Sequence, residues 1–500
     1  MTEFTQDTVI TLGERTSQLS GSVTYEPMRL SIADKPLQEA TGDSKHILII
    51  GGGVSGLLVA WMLLDKGMRV TILAREWAWT KDFKGSRITS QIAGALWEMP
   101  PGGCGVQELE EPGEGWANLD HYREWALDSY DFYSNLAKIS DPHEGGGRSF
   151  GLKMADLHQF FYDNVVDDPK DEKSPIYEHY QKFCAVKNQI LQKYVKGDEL
   201  MHNNSPEYIY KDKAAIETKF GSSLVNLSLG GKEFRSAYSH PTPIINTDKA
   251  LVYLMALVEN KGATLETREI KDIYGTGEEL LRDFKADAIV NATGLGAKTL
   301  LNDQDVYPVR GAIRRVENTR NGKFRQLNDA YLVPAQIGPA KLPTKTVFIV
   351  PRNDDILYVG SIIQPNNSQL NLDPESPEVK QMWNRAGDFM QTLHHAAFRK
   401  DFSFAQGLRP FTKKNVKVRA DDKVNFPLVH NYGHGGSGWT LGIGTARSAV
   451  YILERLLEET GETKEKAARI NKNLYGAFPK LDLDTGATRH LSPIHEKAKL

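Results

Sequence analysis

A glycine-rich turn that joins a short apolar strand to an apolar helix restricts the fold of this chain more than any other feature. Residues 46–50 (HILII) form a predicted buried strand, and the apolar residues after the turn recur at the spacing of one helix face. Gly67 ends the predicted helix, and residues 69–73 (RVTIL) form a second strand. A strand–turn–helix–strand unit of this kind is typical of a Rossmann-like α/β domain.

The turn itself, residues 51–56 (GGGVSG), has the spacing G-x-G-x-x-G. The first glycine permits the tight turn, the second lets the backbone approach a pyrophosphate, and the third lets the helix pack closely on the strand. The pyrophosphate would lie at the helix N-terminus, where free N–H groups and the helix dipole favour negative charge. The predicted contacts are Gly51, Gly53, Val54, Ser55 and Gly56. The alternative is a glycine-rich turn with no ligand.

The end of the second strand is less typical of a dinucleotide site. An acid that binds ribose is expected about twenty residues after the turn. Ala74 stands where that acid usually does, and Glu76 comes slightly later. We predict that Arg75 and Glu76 contact the cofactor, and the alternative for Glu76 is a solvated surface acid.

Length and composition indicate a two-domain enzyme that does not bind nucleic acid. The chain has 500 residues, which is more than one ordinary core contains. Its formal net charge is −3, so no basic field attracts a phosphate backbone. No stretch is apolar enough to cross a bilayer, and we expect no membrane partner. With only Cys104 and Cys184 as thiols, the chain is not a disulfide scaffold, and we expect no metal site.

The sequences at both ends of the chain indicate the cellular location. Residues 1–10 carry acids and polar side chains and do not resemble a signal peptide, so we expect an intracellular protein. The chain ends Ala498-Lys499-Leu500, which resembles the S-K-L class of peroxisomal signals. We therefore expect a peroxisomal location, with the cytoplasm as the alternative.

Several later segments, in the same order along the chain, resemble the D-amino-acid oxidase family. They are Ile72–Glu76 (ILARE), Ala93–Trp97 (AGALW), Val290–Gly294 (VNATG), Pro308–Gly311 (PVRG), Gly407–Pro410 (GLRP) and His430–Thr440 (HNYGHGGSGWT). The last segment carries the most weight because a run of this length rarely arises by chance. The resemblance covers most of residues 46–110 and 235–460.

By this resemblance the fold is α/β, with a discontinuous Rossmann-like FAD-binding domain beside a substrate domain built on a mainly antiparallel sheet. The implied segments are 46–105, 245–315 and 405–460 for the FAD-binding domain, and 106–244 and 316–404 for the substrate domain. Residues 1–45 would form an extension that packs on the surface or stays mobile, and residues 461–500 a peripheral tail.

The resemblance also implies which residues contact FAD beyond the first turn. They are Ala93, Gly94, Ala95, Leu96, Thr293, Gly294, Gly435, Gly436, Ser437, Gly438, Trp439 and Thr440. Glycines beside a flavin let backbone N–H groups approach the ring, where they would stabilise the anion of the reduced flavin. Thr440 either caps the following helix or bonds the flavin, and His430 and His434 are expected to be structural. We expect noncovalent FAD, with Cys104 a plain loop thiol.

Two residues are implied for the substrate site. Arg409 would pair with the substrate carboxylate, since a guanidinium matches a carboxylate with two parallel hydrogen bonds. The alternative for Arg409 is a salt bridge to an acid of the protein. Phe348 stands where the family usually has a tyrosine, and we expect it to be a wall of the pocket.

The family's reaction gives the expected function. An amino acid, by resemblance a D-amino acid, would transfer a hydride from its α-carbon to FAD, and the imine would hydrolyse to a 2-oxo acid and ammonia. O2 would reoxidise the flavin and give hydrogen peroxide. The alternatives are a dehydrogenase or secondary-amine oxidase on the same scaffold, and a flavoprotein without turnover. The sequence leaves open the handedness of the substrate and whether the protein forms a homodimer.

Overall fold

Two large sheets, four two-stranded sheets and the surrounding helices make up the described part of the chain. The computed structural model describes residues 9–16, 23–78, 87–101, 117–139, 150–192, 208–337, 343–344, 346–353, 355–413 and 415–476. The strands are β1 (Val9–Leu12), β2 (Arg15–Thr16), β3 (Thr24–Tyr25), β4 (Met28–Ser31), β5 (His46–Ile50), β6 (Arg69–Ala74), β7 (Leu152–Phe161), β8 (Ile209–Tyr210), β9 (Ser228–Leu229), β10 (Lys232–Glu233), β11 (Ser236–Ile245), β12 (Thr264–Thr267), β13 (Ala288–Asn291), β14 (Val306–Glu317), β15 (Ala330–Val333), β16 (Gln336–Ile337), β17 (Pro343–Thr344), β18 (Val347–Pro351), β19 (Ile356–Gly360), β20 (Gln364–Pro365), β21 (Phe404–Thr412), β22 (Lys417–Ala420) and β23 (Leu428–Tyr432). The helices are α1 (Val54–Asp65), α2 (Thr89–Ile92), α3 (Leu119–Ile139), α4 (Tyr177–Val186), α5 (Lys213–Leu224), α6 (Thr247–Asn260), α7 (Ile273–Phe284), α8 (Ala297–Leu300), α9 (Pro377–Phe389), α10 (Gly438–Glu458) and α11 (Thr463–Tyr475).

The first sheet has six strands in the order β12-β6-β5-β13-β23-β22. Its neighbouring strands are parallel, except that β22 is antiparallel to β23. β5 is apolar on both faces because helices cover both sides of the sheet. Ile47 and Ile49 pack with α1, α6 and α10, whereas Leu48 and Ile50 pack on the other side with α7 and α8. This doubly wound arrangement confirms the predicted Rossmann-like unit.

The second sheet is mainly antiparallel, as predicted. Its strands follow the order β20-β14-β19-β18-β15-β7-β11-β8, with β21 also paired to β14, and β7 runs parallel to β15. Phe160 and Ile349 point to one face, which α5 and α9 cover. Leu157 and Val350 point to the opposite face, which contacts Leu96. We call this second face the inner face, since Leu96, which follows α2, lies against it.

Contacts between distant segments cross the predicted boundaries of the two domains, which stay a prediction. β14 and β21 pair with each other in the second sheet, so the segments 245–315 and 405–460 run past the first sheet. Helix α3 lies in the stretch assigned to the substrate domain, yet it packs on α10. The backbone of Trp125 leaves no room for a Cβ at Gly444, and Trp125 Nε1 donates to Ser448 Oγ at 2.9 Å. Hydrophobic periodicity does not reveal such pairings, because they join segments that are distant along the chain.

The described residues of the segment 9–31 contribute apolar side chains to the core. β1 pairs with β4, and Arg15 forms a buried ion pair with Asp128 of α3 at 2.7 Å. Arg447 of α10 donates to three backbone carbonyl groups of the same segment, and its Nη1 lies 3.8 Å from Asp128. The expected surface or mobile extension is therefore wrong for these residues, because the Arg15 ion pair joins them to α3 and the hydrogen bonds of Arg447 join them to α10.

The stretch after residue 460 also contains a packed element. α11 buries Ala467, Ile470 and Leu474, and the Asn471 side chain bonds both backbone groups of Ala420 in β22, at 3.0 and 2.9 Å. The expectation of a peripheral tail is wrong for this helix. The predicted peroxisomal signal, Ala498-Lys499-Leu500, lies outside the described residues and stays a prediction.

The anchor of the N-terminal segment is testable through Asp128. We predict that Asp128→Ala lowers the free energy of unfolding by about 3 kcal/mol, because the buried Arg15 and Arg447 would then lose the carboxylate with which both pair. Urea denaturation of the purified protein measures this change. Glu375→Gln, which removes an exposed ion pair with Lys380, is the control and should have little effect. Equal stability of the two variants would contradict the assigned anchor.

Candidate active site

Four segments that the sequence singles out lie at one edge of the six-stranded sheet. The first glycine turn follows β5, Arg75 and Glu76 follow β6, and Thr293 and Gly294 follow β13. The second glycine run follows β23. Because these strands are parallel neighbours, their carboxyl ends meet at one edge, which is where open α/β sheets bind ligands.

The first glycine turn is tightly packed. Gly51 has a φ of +122°, which favours glycine, and its N–H donates to Leu73 O at 2.8 Å. A Cβ at Gly56 would overlap the carbonyl oxygen of Gly51. Both observations agree with the predicted use of these glycines, since α1 begins at Val54 directly against the strand it follows.

The second glycine turn lies beside the first. Gly433 and Gly435 have φ values of +86° and +55°, and the turn leads into α10 at Gly438. A Cβ at Gly438 would lie 3.9 Å from Val54 Cγ1, and His434 Nδ1 is 3.5 Å from Ser55 Oγ. The N-termini of α1 and α10 are therefore adjacent, although almost 400 residues separate them.

The residues at this edge fit an FAD. Neither α1 nor α10 has an acidic residue in its first turn, so both helix N-termini keep a positive end that attracts an anion. Gly53, Val54 and Ser55 would hold the diphosphate at the first N-terminus, where Gly53 leaves the backbone uncovered. The backbone of Gly436–Gly438 would lie against the flavin at the second N-terminus.

The segment Ala93–Leu96 lies between the two sheets. Ala95 O accepts from Ile245 N at 3.0 Å, and Leu96 forms an isolated bridge with Ile244 of β11. The ring of Phe348, on the inner face, occupies the space that a Cβ would need at Gly94. Phe348 thus adjoins the segment expected to pass the flavin, and it stays the predicted pocket wall.

His434 and His430 have the structural contacts that the sequence suggested. His434 Nε2 bonds Thr445 Oγ1 at 3.0 Å, and burial lowers the pKa of His434 to about 4. His430 Nε2 bonds Asp421 Oδ2 at 2.9 Å. Burial alone would raise the pKa of the Asp421 carboxyl, but the hydrogen bond and charge of His430 lower it to about 2. Both rings are therefore held between protein groups.

Arg409 lies on β21, next to a residue that bonds the second glycine turn. Gly435 N donates to Pro410 O at 2.9 Å. Arg409 is half-buried, and it donates from Nη1 to Ile362 O at 3.1 Å and from Nη2 to Ser361 Oγ at 2.8 Å. Both of these partners are neutral. Among the described residues Arg409 therefore does not form the salt bridge to an acid that was the alternative. Its positive charge can meet an anionic ligand.

Comparison with known proteins agrees with this geometry. A family model described as FAD dependent oxidoreductase, DAO, matches residues 46–452.

The chain belongs to the DAO family of FAD-dependent oxidoreductases.

Curated relatives and solved structures share most of the chain. D-amino-acid oxidase of Schizosaccharomyces pombe is 26% identical over 421 residues, covering 82% of this chain and 96% of the relative. D-amino acid oxidase of Dugesia ryukyuensis is 23% identical, with 82% and 98% covered. Glycine oxidase from Bacillus cereus has a TM-score of 0.54 at 17% identity, covering 83% of this chain and 98% of that one. At this identity the structural likeness shows the fold alone, and the DAO fold agrees with the two sheets described above.

Two residues that sequence reasoning missed connect the parts of this DAO-family site. Ser90 Oγ accepts from Val54 N at 3.2 Å, and Ser90 O accepts from Trp439 Nε1 at 3.0 Å. Arg352 is almost fully buried and donates to Ala93 O at 2.8 Å and to Gln91 O at 3.2 Å. No local sequence signal identifies either residue, because their partners lie far away along the chain.

The outcomes for Thr440, Arg75, Glu76 and Cys104 differ. Thr440 is the third residue of α10 and Ser437 occupies the N-cap position, so the interpretation of Thr440 as a cap is wrong. Glu76 lies 3.5 Å from Arg75 Nε, and both side chains are largely exposed at the end of β6. Their contact with the cofactor stays a prediction. Cys104 lies outside the described residues.

The role of the first glycine turn in FAD binding can be tested by adding one methyl group at Gly56. We predict that Gly56→Ala loses most bound FAD, because the new Cβ would push the backbone of Gly51 out of place. The FAD content of the purified protein, measured from its visible absorbance, gives the result. Gly42→Ala is a matched control, since nothing lies within 4 Å of a Cβ there. A Gly56→Ala protein with full FAD content would contradict this role for the turn.

Buried histidines predict a loss of stability in mild acid. Burial lowers the pKa of both His434 and His240 to about 4, from an ordinary value of 6.5. Between these pH values the unfolded chain binds more protons than the folded chain. The contribution of each histidine to the free energy of unfolding is therefore complete above about pH 6.5 and falls as the pH drops towards 4. From about pH 7 to pH 5 each histidine should remove about 2 kcal/mol from the free energy of unfolding.

Urea denaturation at the two pH values measures this loss. His434→Gln should reduce the difference between pH 7 and pH 5, whereas His395→Gln, at an exposed position, should leave it unchanged. An identical difference in the parent and in His434→Gln would show that His434 does not contribute.

Proposed function

We propose that this chain is an FAD-dependent oxidase of an amino acid, and that the amino acid is a D-amino acid. The observation that carries the proposal is the position of Arg409. It lies on a strand bonded to the second glycine turn, and its partners in the described residues are neutral. A positive charge of this kind beside a flavin site favours a substrate with a carboxylate.

The roles of the chain's own residues follow from this arrangement. Arg409 would bind the substrate carboxylate with two parallel hydrogen bonds and so fix the orientation of the α-carbon. Phe348 would form an apolar wall that excludes water from the reacting C–H bond. FAD, when bound, supplies the acceptor for the hydride. We propose that Gly53, Val54 and Ser55 hold it without a covalent bond, and that residues 93–96 and 435–440 adjoin its ring.

The overall reaction balances with O2 as the second substrate. The amino acid loses a hydride and a proton and becomes an imine, which water hydrolyses to a 2-oxo acid and ammonia. O2 takes the two electrons and two protons and leaves as hydrogen peroxide. The handedness rests on the curated relatives, which are named D-amino-acid oxidase in S. pombe and D-amino acid oxidase in D. ryukyuensis.

An anaerobic screen tests the substrate and its handedness. Purified holoprotein is mixed with D-amino acids, L-amino acids and N-methyl amines, and bleaching of the flavin absorbance is recorded. We expect bleaching by D-amino acids, and admission of air should then give one hydrogen peroxide for each substrate oxidised. Bleaching without peroxide would point to a dehydrogenase, and no bleaching by any amine would contradict the proposed enzyme.

Arg409→Ala tests the carboxylate contact. We predict that it keeps FAD but loses at least about a hundredfold in kcat/KM for the amino acid, since a charged pair of hydrogen bonds is lost. Arg320→Ala, which changes an exposed arginine, is the control and should match the parent. If Arg409→Ala oxidises amino acids as well as the parent, Arg409 does not bind the carboxylate.

The cell location and the assembly state are proposed separately. We propose that Ala498-Lys499-Leu500 directs the protein to peroxisomes, where a peroxide-forming enzyme is expected. No helix among the described residues is long and apolar enough to cross a membrane. A fluorescent protein fused to the N-terminus should give peroxisomal spots in a eukaryotic cell, and removal of these three residues should disperse them. We propose a homodimer as the assembly state, and sedimentation of the holoprotein tests it.

A further inference from the structure

The guanidinium of Arg409 lies in a slot made by two neighbouring strands and one loop. Arg409 on β21 pairs with Val309 on β14, so Gly311 is its diagonal neighbour on the same face of the sheet. The head group extends over Gly311, where a Cβ would overlap Nη1, Nη2 and Cζ of Arg409. Glycine at this position therefore forms the floor of the slot.

The loop after β19 forms the side of the slot. Ser361 Oγ accepts from Arg409 Nη2 at 2.8 Å, and Ile362 O accepts from Arg409 Nη1 at 3.1 Å. Ser361 Oγ also lies 3.2 Å from Ile362 O, to which it donates. The loop is itself fixed, because Ile362 N donates to Ala312 O of β14 at 3.3 Å. Both terminal nitrogens of the guanidinium thus donate to a loop that is itself hydrogen-bonded to β14.

The bonds leave enough donors for a ligand. A guanidinium has five N–H donors, and the slot uses two of them, so three remain while a carboxylate needs two. The partners in the slot are neutral, and they hold the head group without neutralising its charge. An arginine side chain that is already oriented loses less conformational entropy when it binds a carboxylate.

We propose that Gly311, Ser361 and the carbonyl group of Ile362 are positioning residues that orient Arg409 before the substrate binds. The inference rests on the proposed role of Arg409 as the carboxylate-binding residue. It assigns a purpose to the P-x-R-G segment at Pro308–Gly311, which the proposed function leaves unused. Ser361 acts through Arg409 and does not itself touch the substrate.

Ser361→Ala is the first test, with FAD-loaded protein and sodium propionate as the probe. Propionate binding is measured by calorimetry and by the change in flavin absorbance. We expect Ser361→Ala to weaken propionate binding by about tenfold, because a hydrogen bond to a charged group is lost. Ser361→Thr keeps the hydroxyl group and should restore binding. Equal propionate affinity in Ser361→Ala and the parent would overturn the proposal.

Kinetics separate orientation from general damage. Ser361→Ala should raise the KM of an amino acid and leave its kcat almost unchanged, and it should leave turnover of the matching amine without a carboxylate unchanged. Equal losses with both substrates would indicate structural damage and overturn the assignment. Gly311→Ala should weaken propionate binding more than Ser361→Ala does, because it displaces the whole head group.

A double-mutant cycle distinguishes this inference from the proposed function. In an Arg409→Ala background, Ser361→Ala should have no further effect on propionate binding. An additional loss there would show that Ser361 does not act through Arg409. If Arg409→Ala itself binds propionate as tightly as the parent, the role of Arg409 fails. If only Arg409→Ala weakens binding, that role stands and the slot is not required.

Discussion

The close approach of two helix N-termini is the constraint on which the rest of the site depends. α1 can start beside β5 because Gly56 has no side chain to strike the carbonyl group of Gly51. α10 begins next to α1, since a Cβ at Gly438 would be in van der Waals contact with Val54 Cγ1 at 3.9 Å. Two positive helix ends next to each other repel weakly and leave N–H groups without partners. A ligand with a negative diphosphate and a ring whose reduced form is an anion would satisfy both, and FAD is such a ligand.

The substrate sheet is held at a fixed position relative to this pair by buried polar contacts. Arg352, directly after β18, donates to the carbonyl groups of Gln91 and Ala93, and its guanidinium lies over the ring of Tyr358 at 4.2 Å. Burial lowers the pKa of its guanidinium, and neutral oxygen atoms compensate for the lost water. β21 bonds the second glycine turn through Pro410. Arg409 is therefore positioned by the same contacts that join the two sheets.

The parts of the fold that could be predicted are those in which a local backbone conformation requires a residue type. The turn at 51–56 and the run at 430–440 need glycine for positive φ angles and close packing, and both were found where the sequence placed them. Contacts between segments that are distant along the chain require no recognisable local sequence pattern. Arg15 with Asp128 and Ser90 with Val54 join segments by side chains that look ordinary in the sequence. For the same reason, the packing of α3 on α10 was not predicted.

The central claim is that one FAD spans both glycine turns and that Arg409 holds the substrate carboxylate beside it. A crystal structure of the protein with FAD and a bound carboxylate tests this claim most directly. The account predicts the diphosphate at the N-terminus of α1, beside the backbone of Gly53 and Ser55, the ring against residues 435–438, and the carboxylate on the guanidinium of Arg409. A flavin that contacts only one of the turns, or a carboxylate bound away from Arg409, would contradict it.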